Sequence, residues 1–115
     1  MRIESYGSVK VYWPEYTREE LIELLREKVP ALNRVLPLRR VTLFGSWSRD
    51  QATAFSDVDV LVVYAGAPRE DAYRLASDTL HVEGLEAHVY GEDEATAIAP
   101  TLEKMTACGV DLLPA

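Results

Sequence analysis

A chain of 115 residues is long enough for one domain with a single core and too short for two, so we expect one domain over 1–115. Its 48% hydrophobic and 27% charged residues are typical of a soluble globular protein, and no apolar run predicts a membrane span. The net charge of −7 argues against binding to long nucleic acid, and the single cysteine, Cys108, excludes an internal disulfide and favours a reducing, cytoplasmic compartment.

The first third of the chain predicts a strand followed by a helix. Residues 8–13 alternate weakly, as an edge strand would. Thr17 and Glu20 have the spacing of a capping box, which predicts a helix start. Because proline lacks an N–H and disfavours helical conformation in the preceding residue, we expect this helix to end before Pro30. A second short helical piece is expected over 31–36.

The stretch 41–63, VTLFGSWSRDQATAFSDVDVLVV, predicts two buried strands joined by a turn and a polar loop with Phe55 as its anchor. Only about a dozen residues separate the strands, too few for a parallel crossover helix. We therefore expect an antiparallel pair, in which the end of the first strand lies beside the start of the second.

Two acidic residues open the second of these strands. Asp57 and Asp59 are two positions apart, so in a strand their carboxylates lie on one face. Such a pair suits Mg2+, which takes oxygen ligands and keeps water or phosphate oxygens in its other positions. Gly45 and Ser46 end the first strand with free backbone N–H groups that favour a phosphate. The alternative is a solvated strand start with two surface aspartates.

Gly45-Ser46, ten intervening residues and then Asp57-x-Asp59 resemble the signature of the nucleotidyltransferases of the DNA polymerase beta superfamily. At this length the chain is most similar to the minimal nucleotidyltransferases (MNT). The resemblance implies an α/β palm-like fold, with a twisted mixed sheet of about four strands flanked by helices. It also implies transfer of AMP from ATP to a hydroxyl, with release of pyrophosphate and two Mg2+ ions held by the aspartates.

Three residues after the turn match this pattern only in part. The family usually shows a small residue, arginine and glycine where Ser48, Arg49 and Asp50 stand. Arg49 matches and is assigned to nucleotide binding, either by pairing with a motif carboxylate or by bracing the turn. Asp50 departs from the pattern and adds negative charge. Trp47 would either cover a nucleotide base or pack under the sheet.

The remaining segments predict a helix over 68–80 and a third strand over 85–90. An acidic first turn at 91–94 leads into a broken helix over 95–98 and 100–108, and 110–113 forms either a short edge strand or a docked tail. The third strand alternates, so Glu86, His88 and Tyr90 share one face. The resemblance implies a third carboxylate here, and Glu86 is our candidate as a metal ligand and acceptor of the hydroxyl proton. The alternative is an exposed strand glutamate. His88 is interpreted as a polar neighbour.

The resemblance also implies a partner, because minimal nucleotidyltransferases resemble antitoxins paired with HEPN-domain toxins, some of which are modified on a tyrosine. A homo-oligomer is equally compatible with the sequence. Two other functions stay open at this point. One is an antitoxin that has lost catalysis and neutralises its partner by contact. The other is nucleotidyl transfer to a small molecule.

Overall fold

The computed structural model describes residues 2–6, 9–13, 16–49, 52 and 56–114, with only the backbone described in 2–6 and 9–13. The predictions for Asp50 and Phe55 therefore lie outside the described residues. The strands are β1 (Arg2–Tyr6), β2 (Val9–Trp13), β3 (Leu38–Phe44), β4 (Val58–Tyr64), β5 (Leu85–Gly91) and β6 (Val110–Asp111). The helices are α1 (Arg18–Val35), α2 (Ala72–Thr79), α3 (Glu92–Ala97) and α4 (Ala99–Met105).

Four of the strands form a mixed sheet in the order β5-β4-β3-β6. β3 runs antiparallel to both β4 and β6, whereas β4 and β5 are parallel. The apolar sequence of β4 has both of its faces covered, as a central strand requires. The predicted fold class and the predicted antiparallel pair are confirmed. Strand β2 pairs with β1 in a separate two-stranded sheet, so it is an edge strand as the sequence predicts, but not of the four-stranded sheet.

Each face of the sheet carries its own apolar core. On the α1–α2 face, Val58, Val60 and Val62 pack with the buried side of α1 and with α2. On the α3–α4 face, Leu61 and Val63 pack with Leu102 of α4. Since strand side chains alternate, Asp59 belongs to the α3–α4 face with Leu61 and Val63. None of the helices in the described ranges is long and apolar enough to cross a membrane.

Helix α1 continues through Pro30, which corrects the expected break. The ring of Pro30 is exposed, while Val29 and Leu32 on either side of it are buried. An interior proline costs roughly 3 kcal/mol in a helix. Burial of a large aliphatic side chain contributes about 1.5–3 kcal/mol, so the packing of the last helical turns offsets this cost.

Helix α2 begins at Ala72, four residues later than the sequence predicts. The backbone N–H of Arg69 donates to the Tyr64 hydroxyl at 2.7 Å, and the Arg69 guanidinium pairs with Asp71 at 2.9 Å. These contacts hold 68–71 as a turn. The predicted broken helix near the C-terminus is confirmed as α3 and α4, and the predicted edge strand is confirmed as β6.

Removing the cap of α1 is expected to destabilise the fold. Thr17 Oγ1 accepts from the Glu20 N–H at 3.1 Å, and Glu20 Oε1 accepts from the Thr17 N–H at 2.9 Å, as the capping box predicts. Thr17→Ala should lower the free energy of unfolding by about 1 kcal/mol, measured by urea denaturation. Thr101→Ala, at an exposed position of α4, is the matched control and should change it by under about 0.5 kcal/mol. Equal effects of the two variants would contradict a capping role.

Candidate active site

Three strand ends meet at one end of the sheet. Phe44, the last residue of β3, pairs with Asp59 near the start of β4. Asp59 in turn pairs with Glu86 near the start of β5. Because paired residues in neighbouring strands point to the same face, the Asp59 and Glu86 carboxylates both belong to the α3–α4 face. The register thus puts the turn at Gly45 next to Asp59, with Glu86 on its other side.

Gly45 makes this close approach possible. Its φ is 77°, in the left-handed region that L side chains rarely adopt. A Cβ added there would lie 2.5 Å from Asp59 Oδ2 and clash with it. The glycine is therefore required both for the bend of the chain and for the space beside the carboxylate.

The turn over 45–49 is fixed from two sides. Within it, Ser48 donates to the Gly45 carbonyl from both its backbone N–H, at 3.2 Å, and its hydroxyl, at 2.8 Å. From α1, Arg18 Nε donates to the Ser48 carbonyl at 3.1 Å. Ser46 is half-buried within this turn. The sequence placed Ser48 in the family pattern without showing its hydrogen bonds to Gly45. It gave no sign of Arg18, since a capped helix start does not show that its first arginine reaches a turn thirty residues away.

Trp47 packs in the core, which decides between its two predicted roles. Its side chain is 5% exposed and its ring lies 5.5 Å from that of Tyr16, centroid to centroid. A buried indole on the α1–α2 face is not available to cover a base. Burial, and to a lesser extent the nearby Glu83 carboxylate, raises the pKa of the Tyr16 hydroxyl.

Asp57 and Arg49 lie at the exposed rim of this sheet end. Asp57 stands one position before β4, where the Val58 N–H donates to the Gly84 carbonyl at 2.8 Å. Within the ranges whose side chains are described, Arg49 forms no ion pair with either motif aspartate. Its assignment to nucleotide binding stays a prediction.

The third strand presents Glu86 and His88 at the same end of the sheet. Glu86 is exposed and directly beside Asp59 in the ladder. His88, in contrast, contacts Asp59 itself, with 3.3 Å between Nε2 and Oδ1. The sequence predicts that Glu86 and His88 share a face. It does not show that His88 lies diagonally across from Asp59, which depends on the parallel register.

The donor set fits Mg2+ by its chemistry. Asp57, Asp59 and Glu86 offer only oxygen atoms, at a sheet end where the chain turns at Gly45, which carries no side chain. In the described part of the chain, no three histidine, cysteine or acidic side chains come together as a ready-made metal cage. Mg2+ is ordinarily held by one or two carboxylates together with water and substrate phosphates, so a partial set of this kind suits it.

Solved structures with the same fold include a putative nucleotidyltransferase and two toxin–antitoxin structures. A putative nucleotidyltransferase from Sulfolobus solfataricus is 20% identical with a TM-score of 0.56, over 82% of this chain and 80% of that one. A structure of a tri-AMPylated Shewanella oneidensis HEPN toxin with its MNT antitoxin is 22% identical with a TM-score of 0.52, over 82% and 73%. A toxin–antitoxin with AMP-PNP is 22% identical with a TM-score of 0.56, over 78% and 73%.

At these identities the structural likeness shows the fold, and no curated protein matches the chain. The family is shown by a sequence model. The model described as "Nucleotidyltransferase domain" matches residues 18–113, which include the turn, both motif aspartates and Glu86. This match covers most of the chain and confirms the predicted resemblance and enzyme class: the chain belongs to the nucleotidyltransferase domain family.

Proposed function

We propose that this nucleotidyltransferase transfers AMP from ATP, with Mg2+, to a hydroxyl group and releases pyrophosphate. The observation that carries the proposal is the register that puts the Gly45 bend and Glu86 on either side of Asp59. A phosphate-binding turn and carboxylates for a divalent cation at one sheet end suit a metal-bound triphosphate.

Each residue has a role in this reaction. Gly45 and Ser46 bind the β- and γ-phosphates through the N–H groups and hydroxyl of the turn. Asp57 and Asp59 hold Mg2+, which when bound neutralises charge on the triphosphate and stabilises the entering and leaving oxygens. The oxygen of the acceptor hydroxyl bonds to the α-phosphorus while the bond from that phosphorus to pyrophosphate breaks. Glu86 accepts the proton that the hydroxyl loses. Arg49, at the exposed rim, contributes positive charge on the nucleotide side.

The acceptor we propose is a tyrosine of a HEPN-type toxin. The chain has the fold found in the complex of an AMPylated HEPN toxin with its MNT antitoxin. An acidic protein with a net charge of −7 is poorly suited to a nucleic acid acceptor, whereas a protein acceptor needs no basic groove. The phenol of a tyrosine supplies the hydroxyl that the reaction requires.

The proposal predicts Mg2+-dependent labelling of the partner protein. The chain is incubated with ATP labelled at the α-phosphate and with the product of the neighbouring gene as the candidate HEPN-type partner. We expect label on the partner, located at a tyrosine by peptide mass spectrometry, and its loss when Mg2+ is removed by a chelator. ATP labelled at the γ-phosphate is the control and should leave the partner unlabelled.

Two outcomes would contradict the proposal. Label from the γ-phosphate would indicate a kinase-type transfer instead. No label with either ATP, together with inhibition of the partner that survives replacement of Asp57 and Asp59 by alanine, would favour an antitoxin that acts by contact alone.

A further inference from the structure

His88 is the side chain that contacts Asp59 most specifically. Its Nε2 lies 3.3 Å from Asp59 Oδ1, and both side chains are partly buried, with 29% and 26% of their surfaces exposed. The ladder explains this pair. Asp59 is level with Glu86, and His88 is two residues further along β5, so it reaches Asp59 diagonally across the two parallel strands.

The imidazole is held in place by packing. Its ring centroid lies 5.0 Å from that of Phe44, with the ring planes at 59°. Phe44 is itself 8% exposed and belongs to the core of the α3–α4 face. The imidazole thus packs against a core side chain while its Nε2 faces the carboxylate of Asp59.

Both oxygens of the Asp59 carboxylate have a close neighbour in the structure. Oδ1 faces His88, and Oδ2 lies over the backbone of Gly45, where even a methyl group would clash. A carboxylate can only accept hydrogen bonds, so a hydrogen bond between the two side chains requires the tautomer that carries its proton on Nε2. Strand β5 and the turn after β3 together fix the orientation of a side chain that belongs to β4.

We propose that His88 is the positioning residue of Asp59: it donates an Nε2–H hydrogen bond to Oδ1 and leaves the other lone pairs of the carboxylate directed at Mg2+. This proposal rests on the proposed function, in which Asp59 is a metal-binding carboxylate. A carboxylate ligand that also accepts a hydrogen bond from a neighbouring side chain binds its metal more tightly, because its orientation is set before the ion binds.

The test compares two substitutions, one of which keeps only the ring contact of the imidazole with Phe44 and the other only its hydrogen bond to Asp59. His88→Phe keeps an aromatic ring against Phe44 but has no donor for Asp59. His88→Gln loses the ring but can place an amide N–H near the position of Nε2. The matched control is His81→Gln. His81 is the other histidine of the chain, and its side chain is exposed.

Two quantities are measured for each folded variant. The first is the Mg2+ concentration that gives half-maximal binding of AMP-PNP in calorimetry, which requires no acceptor and no turnover. The second is AMP transfer at saturating Mg2+. For His88→Phe we expect the first to rise by about 10–100-fold, the usual cost of losing the partner of a metal ligand, while transfer at saturating Mg2+ changes much less. His88→Gln should recover most of the affinity, and His81→Gln should match the original chain.

The outcomes separate the positioning role from the proposed function. If the original chain binds AMP-PNP with Mg2+ and His88→Phe binds it equally well, the positioning role is wrong and the proposed function stands. If glutamine is as weak as phenylalanine although both variants unfold at similar temperatures, the hydrogen bond is not the cause. If the original chain binds no Mg2+-dependent nucleotide, the proposed function fails, and the role of His88 fails with it.

Discussion

Asp59→Asn is expected to abolish AMP transfer and Mg2+-dependent ATP binding while the protein stays folded. Asparagine has nearly the same shape as aspartate, and its Oδ1 can still accept the hydrogen bond from His88 Nε2, which lies 3.3 Å from that oxygen in the structure. The variant therefore removes the negative charge and little else. Loss of a group that stabilises the transition state costs about 10²–10³-fold in rate, and loss of a metal ligand should cost at least as much.

The control for this variant is Asp78→Asn, which removes one negative charge from an exposed position on α2. It should leave both transfer and nucleotide binding unchanged, measured with α-labelled ATP and by calorimetry. Asp57→Asn should resemble Asp59→Asn, because both carboxylates are proposed to hold the cation. A folded Asp59→Asn variant that transfers AMP at the original rate would remove the basis of the proposed function.

Asp59→Asn should not destabilise the fold, although it abolishes activity. Asp57, Asp59 and Glu86 lie at one end of the sheet, and like charges near one another are unfavourable when no cation is bound. In buffer that contains a chelator, Asp59→Asn should unfold at the same urea concentration as the original chain or at a slightly higher one. A strong loss of stability would indicate that Asp59 is kept for the fold.

The faces of β4 could be predicted from the sequence because successive side chains of a strand point to opposite faces. Val58, Val60 and Val62 pack on one side, and Leu61 and Val63 on the other. A short connection between two buried strands leaves antiparallel pairing as the simple geometry, so the meeting of the Gly45 turn with Asp59 could also be predicted. These inferences need only the period of a strand and the length of a loop.

The errors arose where long-range packing overrides a local preference. Pro30 has a local preference to end the helix, but Val29 and Leu32 are buried on the sheet and hold α1 in one piece. Pro68 suits the first position of a helix, yet the Tyr64 hydroxyl engages the backbone of Arg69 and delays α2. Neither contact can be read from the neighbouring residues in the chain.

The sequence indicated that the acidic residues lie at one end of the sheet, but it did not indicate the side chains that contact them or the turn. The spacing of a D-x-D motif after a Gly-Ser turn is enough to predict a site for a cation and a phosphate. The contacts of Arg18 with the turn and of His88 with Asp59 depend on how α1 and β5 are placed against β3 and β4. Such contacts join elements that are far apart in the chain, so they cannot be read from the local pattern of one sequence.

Gly45→Ala should damage both stability and activity, and the chain contains a matched control for the backbone part of the effect. Gly45 and Gly66 both have positive φ, 77° and 91°. A Cβ at Gly66 would meet nothing within 4 Å, whereas one at Gly45 would lie 2.5 Å from Asp59 Oδ2. Alanine in the left-handed region costs roughly 1–2 kcal/mol at either position. Only the Gly45 variant adds an overpacked contact, which typically costs about 1–3 kcal/mol more.

We therefore expect urea denaturation to show a larger loss for Gly45→Ala than for Gly66→Ala, and AMP transfer to fall only in the former. The double variant Gly45→Ala, Asp59→Ala tests the cause, because it removes the carboxylate that the new methyl group displaces. In the Asp59→Ala background, Gly45→Ala should lower the free energy of unfolding by no more than Gly66→Ala does in the original chain. The difference between the effects of Gly45→Ala with and without the Asp59 carboxylate is the coupling energy, which we expect in the range of about 0.5–3 kcal/mol seen for residues in contact. Equal losses at the two glycines would mean that the bend needs glycine for its backbone conformation alone, and that the space beside Asp59 is not what the site requires.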